Sequence, residues 1–352
     1  MRRVFVRACA LSVPVLTAAA ATAAVATAGA ANPGAYAFVQ EIVVPGDGGW
    51  DYLSIDARAR RLYVTHGDHI DVIDIDRNAL VGRIADTAGV HGFAIAGELA
   101  RGYASDGGAS QVSIVDLNTQ QTLATVATGA NPDAIVFEPS QRQVYAFNGR
   151  AQSATVFDAR SGEVLDTIAL PGKPEFAVAD PAAGRIYDNI EDQNLVVAID
   201  AATHAIVARW PIAPGESASG MALDTAHHRL FIGCRNQRMV MLDTRNGRVL
   251  ASLPIGSGVD ANAFDPGTQL AFSANGEGTV SIAREQSPDR LAPVQTLPTR
   301  PGARTMALDP ISHRIYLASA TLSAAPEASP HARPVPVPGS FRILVYGPIA
   351  AQ

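Results

Sequence analysis

The sequence predicts an all-β chain folded as a seven-bladed β-propeller, and three observations carry that reading. An Asp closes a short apolar strand at Asp74, Asp116, Asp158, Asp200 and Asp243, in steps of 42, 42, 42 and 43 residues. A fixed period of this size, built only from strand-like pieces, marks stacked four-stranded blades. An aromatic residue recurs in each repeat, at Tyr63, Tyr103, Tyr145, Tyr187, Phe231, Phe272 and Tyr316, which gives seven copies. A spare strand at the N-terminus matches a strand missing at the C-terminus.

The elements follow in order. Residues 1–30 read as an export signal: Arg2, Arg3 and Arg7 open it, a largely apolar run from Ala8 to about Ala26 follows, and Ala28-Gly29-Ala30 suits cleavage before Ala31. Residues 31–352 then form a single propeller domain, periplasmic or secreted, with no membrane span after cleavage. Phe38–Val43 is the spare strand. In each repeat a first strand such as Tyr52-Leu53-Ser54-Ile55 leads through a turn to the aromatic second strand. Three of these turns read Asp180-Pro181, Asp265-Pro266 and Asp309-Pro310, which is sound turn chemistry. The third strand ends at the periodic Asp, whose side chain is expected to accept turn N–H groups. The fourth ends ten residues later, at Ile84, Val126, Ile168, Trp210 and Leu253. The sixth repeat departs from the rule, with Ala283 read at the Asp position and Leu297 ending a longer link. The last blade has no fourth strand of its own, so Phe38–Val43 is expected to pair with Phe341–Tyr346 and close the ring, leaving no open edge. A Pro-rich insertion at 321–340 interrupts that blade, either as a surface loop or as a flap over one mouth.

Composition narrows the chemistry. Without the leader only Cys234 remains, so no internal disulfide can form, and its place at the end of an apolar strand predicts a buried, quiet thiol. Loss of three leader arginines takes the formal charge from −6 to about −9, and Lys173 is the only lysine. Such acidity argues against nucleic acid as a partner.

The segment Tyr63-Val64-Thr65, then His66 where Asn is usual, resembles the signature of the YVTN-repeat propellers, as do Tyr145 with Asn148 and Phe272 with Asn275. The resemblance covers the whole mature chain. It implies an exported YncE-like binding protein, with surface-layer and lactonase-like propellers as more distant relatives. A link to single-stranded DNA has been proposed for a YncE-like member, and the acidity here argues against it. The quinoprotein amine dehydrogenase and nitrous-oxide reductase propellers are similar only in fold, since their cofactor-bearing residues have no counterpart in this chain.

In a propeller the first strands line the channel. Counting five residues back from Asp56, Ala96, Glu138, Asp180, Asp224, Asp265 and Asp309 gives Asp51, His91, Asp133, Glu175, Ser219, Asp260 and Arg304. These seven are expected to ring one mouth and bind a ligand, and four carboxylates favour a cation, either an organic amine or a metal ion. His91 with Asp133, or Asp260 beside Arg304, are the expected working pairs, and His91 and Asp133 are the metal candidates. His66 and His69 are placed near this side, His227, His228 and His313 on the opposite rim. No Ser or Cys stands with a His in a nucleophile motif, so no catalytic residue is assigned. Two function classes follow. One is a non-catalytic, monomeric propeller that binds a small molecule or an envelope protein, with no cofactor. The other is a metal-assisted hydrolase or lactonase at the mouth, with a divalent cation.

Overall fold

The computed structural model describes residues 1–2, 4–5, 34–323 and 335–349. The expected leader falls almost entirely outside the described residues, as does the middle of the 321–340 insertion. No helix among the described residues is long and apolar enough to cross a membrane.

Seven four-stranded antiparallel sheets form the body. Blade one runs through Trp50–Asp56, Arg61–His66, His69–Asp74 and Ala79–Ile84, each strand beside the next. Blades two to six repeat this over 90–127, 132–169, 174–211, 218–254 and 259–298. Blade seven takes Met306–Asp309, Arg314–Ser319 and Arg342–Pro348, and its outer strand is Tyr36–Val43 from the other end of the chain. The register of that closure pairs Phe38 with Tyr346 and Ile42 with Ile343. First strands of successive blades pack on one another around the full ring, blade seven against blade one included.

Apolar clusters fill the spaces between blades, because each sheet buries both faces against its neighbours. The recurrent aromatic is buried in all seven blades. Where it is Tyr its hydroxyl can reach a neighbouring blade: Tyr103 donates to the Ala159 carbonyl at 2.7 Å and Tyr145 to that of Ala201 at 3.1 Å. The periodic Asp does the turn work expected of it. Asp116 Oδ1 accepts from Asn118 and Thr119 N–H, and Asp158 Oδ1 from Arg160 and Ser161. Cys234 is fully buried, and burial pushes its thiol up to about 12.

Blade six corrects one expectation. Leu270 pairs with Arg284, where Arg229 pairs with Asp243 in blade five, so Arg284 and not Ala283 stands at the Asp position. The spacing agrees, since Arg284 follows Phe272 by twelve residues as Asp243 follows Phe231. The outer hairpin of this blade, Thr279–Ser287 and Arg290–Pro298, also outgrows the other outer pairs.

Candidate functional site

Each mouth residue is aimed by the same backbone device. Six inner strands carry a register irregularity at their second or third residue: Trp50/Leu53, Val90/Phe93, Pro132/Ile135, Pro174/Ala177, Ala218/Met221 and Val259/Ala261. Asp51, His91, Asp133, Glu175, Ser219 and Asp260 lie within these bulges. A bulge bends the strand and re-aims a side chain that a regular pleat would send into the blade interface. Polar side chains on second strands then tie the bulged backbone down. Thr65 Oγ1 donates to the His91 carbonyl at 3.0 Å, Ser105 Oγ to that of Asp133 at 2.6 Å, and Asn189 Nδ2 to that of Ser219 at 2.8 Å. Gly107 leaves room for the His91 ring, since a Cβ there would lie 2.5 Å from its Cδ2.

The structure brings the seven predicted residues to one rim. Asp51, Asp133, Glu175, Asp260 and Arg304 line one cavity of about 440 Å³, and His91 joins Asp51 in an adjoining hollow. Ser219 is fully buried and donates to Asp260 at 2.9 Å and Glu175 at 3.3 Å, which links neighbouring acids.

Three residues at the mouth escape the strand-offset argument. Lys173 precedes Glu175 in the approach loop, and Arg235 follows Cys234 in the loop after a second strand. Both line the cavity. The third is Tyr52, next to Asp51. Its ring meets Phe176 edge-on at 5.0 Å, a contact that reaches from blade one to blade four. Burial pushes the Tyr52 phenol well above its usual range, and Asp260, Asp133, Asp51 and Glu175 push it further.

These additions divide the rim electrostatically. On one side Lys173 Nζ reaches Glu175 at 2.7 Å and Glu191 at 2.5 Å, while Arg235 reaches the same two acids at 3.1 and 3.0 Å. Arg304 pairs with Asp260 at 2.6 Å. Three cations therefore offset three carboxylates, and the simple expectation of an acidic ring is corrected on this side. The other side keeps its excess. His91 Nδ1 lies 2.6 Å from Asp51 Oδ2 and 3.8 Å from Asp133 Oδ1. Burial pushes Asp133 up to about 7, against the pull of His91 and with the help of Asp51 and Glu175. Burial pulls His91 down, but the bond to Asp51 and the charge of Asp133 outweigh it and leave the imidazole above its usual value. Asp133 Oδ1 is shielded from solvent and has no hydrogen-bond partner.

Three clusters among the described residues have a geometry that could hold a divalent cation: Asp51, His91 and Asp133; His66, His69 and Asp71; and Asp224, His227 and Glu285. His66 and His69 thus form a cluster of their own and do not join His91. Asp71 Oδ2 lies 3.0 Å from His66 Nδ1 and 3.5 Å from His69 Nε2, and Arg83 covers Asp71 Oδ1 at 2.9 Å. That guanidinium already supplies positive charge, so this cluster has the least need of an ion. The insertion of blade seven rises from the mouth side. Its base is a short ladder, with Val337 N–H donating to Thr321 and Gly339 N–H donating to Asp47.

No protein-family model matches the chain, and a search of curated proteins finds no match. The structure therefore supports a seven-bladed propeller in general, and the chemistry has to be read from the mouth.

Proposed function

We propose that the channel mouth binds a divalent cation through Asp51, His91 and Asp133, and that the ion assists hydrolysis of a small anionic ester or lactone. The observation that carries this reading is the uncompensated side of the rim: two carboxylates share one imidazole, and Asp133 Oδ1 has no partner. Buried carboxylates without a partner are costly, and a cation is the usual remedy. A divalent ion there would acidify a bound water and polarise a carbonyl. Lys173, Arg235 and Arg304 face the same cavity and would receive the negative group of the substrate. The cavity of about 440 Å³ suits a small molecule, and Tyr52 is part of its lining.

The test is calorimetry on metal-depleted chain 31–352 with Mn²⁺ and Zn²⁺. Asp133→Asn should weaken mouth binding at least about tenfold, about 1.4 kcal/mol, and lactone hydrolysis should need the metal. An affinity unchanged by Asp133→Asn overturns the cation site.

A second reading has its own support. Ser219 spends its hydroxyl on Asp260 and Glu175, and no activated nucleophile stands at the mouth among the described residues. The mouth would then hold a zwitterionic small molecule, or a charged loop of an envelope protein, without turning it over. A metal-loaded chain inert toward a lactone panel favours that reading. The kinship with YVTN-repeat, YncE-like propellers rests on Tyr63-Val64-Thr65 and the Asn148 and Asn275 positions. Export to the periplasm or beyond rests on the pattern of residues 1–30, and N-terminal sequencing of secreted protein checks it.

A further inference from the structure

The rim opposite the mouth carries a second site. Asp224 ends the inner strand of blade five, and its Oδ1 accepts the Ala226 N–H at 2.9 Å in the turn that follows. Its Oδ2 lies 2.7 Å from His227 Nδ1, and Glu285 Oε1 of blade six lies 3.3 Å from the same nitrogen. None of these three atoms, nor Glu285 Oε2, has a partner in hydrogen-bond geometry. They meet as close ion pairs that lack hydrogen-bond geometry, and the Glu285 side chain is completely shielded from solvent (0% exposed).

The repeat shows how unusual this acid is. The backbone N–H of Glu285 donates to the Gln269 carbonyl, as Ile75 donates to Arg60, Leu117 to Ala100, Ala159 to Arg142, Ala201 to Gly184 and Thr244 to His228. Five blades put an apolar residue or Thr at this position. Only blade six puts a carboxylate there. The repeat also shows what Asp224 lacks. The matching acid of blade six, Asp265, meets His313 of blade seven at 2.7 Å, and Asp309 of blade seven meets Arg60 of blade one at 2.9 Å. The residue of blade six that corresponds to Arg60 and His313 is neutral Gln269. Asp224 thus faces a second buried acid, with only half-exposed His227 to share between them. With both acids ionised, a protonated imidazole would still leave one negative charge uncompensated.

We propose that Asp224, His227 and Glu285 form a transition-metal site that clamps blade five to blade six. Two carboxylates and a neutral imidazole match the charge of a divalent ion, and a mixed oxygen and nitrogen set suits Zn²⁺ or Mn²⁺ better than Ca²⁺ or Mg²⁺. The location has a structural logic. Glu285 sits on the overlong hairpin of blade six, whose tip folds back onto blade five: Arg229 bonds the Pro288 carbonyl and pairs with Asp289 at 3.0 Å. An ion near the tip of that hairpin would fix the one blade whose outer pair breaks the repeat.

The experiment uses chain 31–352 carrying both His91→Ala and Asp133→Asn, which leave the mouth a single ligand of its cluster. Metal-depleted protein is titrated with Mn²⁺ and with Zn²⁺, followed by calorimetry and thermal melting, and crystals grown with Mn²⁺ are read for anomalous scattering. One equivalent should bind with a Kd of about 1 µM or tighter, raise the melting temperature, and scatter between Asp224, His227 and Glu285. Glu285→Gln should remove that equivalent and the thermal gain. His227→Ala, at a half-exposed residue whose loss leaves the fold intact, should weaken binding at least about tenfold. Stoichiometry unchanged in both variants, or no anomalous peak at Glu285 in Mn²⁺-loaded crystals, overturns the proposal. The mouth reading is untouched by either result, because its ligands are tested by Asp133→Asn alone.

Discussion

At the residue scale, the last position of each second strand shows how one place in a repeat takes different chemistry. Asn148 donates to Ser153 and Thr155, and Asn275 to Thr279 and Ser281. Blade two has Asp106 there, buried, accepting from Ser113 at 2.6 Å. Burial pushes its carboxyl up to about 6, and the bond from Ser113 only partly offsets this. A folded pKa above the unfolded value means that the ionised form is penalised by folding. The contribution of Asp106 to stability is therefore complete below about pH 4 and is lost as pH rises through about 6. Asp106→Asn should raise the melting temperature by roughly 2–5 °C at pH 8 and change it little at pH 4.5. Thermal melts at the two pH values check this, and an equal effect at both would show that the gain is not electrostatic. The Asn of this position is visible in the sequence, because the recurrent aromatic numbers it. The buried charge is not, because whether Asp at a strand end is wet or dry depends on which loop covers it.

At the element scale, the strand that closes the ring does more than pair. Tyr36 carries its ring into the cluster between blades six and seven, edge-on to Phe272 at 5.2 Å, and its hydroxyl donates to the His313 carbonyl at 2.7 Å. Gln295 of blade six holds both the N–H and the carbonyl of Tyr36. The closure is thus welded to two blades. Tyr36→Ala should cost about 3–5 kcal/mol, whereas Tyr36→Phe should cost about 1 kcal/mol. Urea unfolding of the two variants separates ring burial from the hydroxyl bond. A loss below about 1 kcal/mol for Tyr36→Ala would mean that the strand is dispensable. The pairing itself was legible from a count of strands, since a blade short of one strand and a chain with one to spare leave a single solution. Tyr36 was not, because it lies just ahead of the apolar run and carries no periodic mark. The longer link of blade six, ending at Leu297, was legible too. That Arg284 and not Ala283 faces Leu270 was not, because the step from the aromatic to the Asp position is thirteen residues in three blades and twelve in blades five and six.

At the scale of the whole molecule, the ring gathers side chains from distant parts of the sequence, and this is where sequence reasoning reached its limit. A constant offset along the inner strands found Asp51, His91, Asp133, Glu175, Ser219, Asp260 and Arg304, because every inner strand meets the mouth at the same height. It missed Lys173, two residues before Glu175, and Glu191 and Arg235, each just after a second strand, because the matching positions of other blades hold Gly, Asn or Ser and show no charge pattern. These three decide the charge of half the rim. Their presence also changes what a substitution at Glu175 should do. On an acidic ring, Glu175→Gln would merely weaken attraction for cations. In the structure Glu175, almost fully buried, bonds both Lys173 and Arg235, so the variant sets two cations partly free. The fold should lose about 1–3 kcal/mol, less than for a fully buried pair because Lys173 and Arg235 are partly exposed. The affinity for a small polyanion should rise, and the rise should fade with added salt. Citrate is a suitable probe, titrated calorimetrically into wild type and variant at low and high ionic strength. A several-fold gain that salt abolishes would identify Lys173 and Arg235 as the receiving groups for an anionic ligand. A loss of citrate affinity would mean that Glu175 organises these cations for binding and does not hold them in reserve, and that the basic side of the mouth works only as an intact ion-pair network.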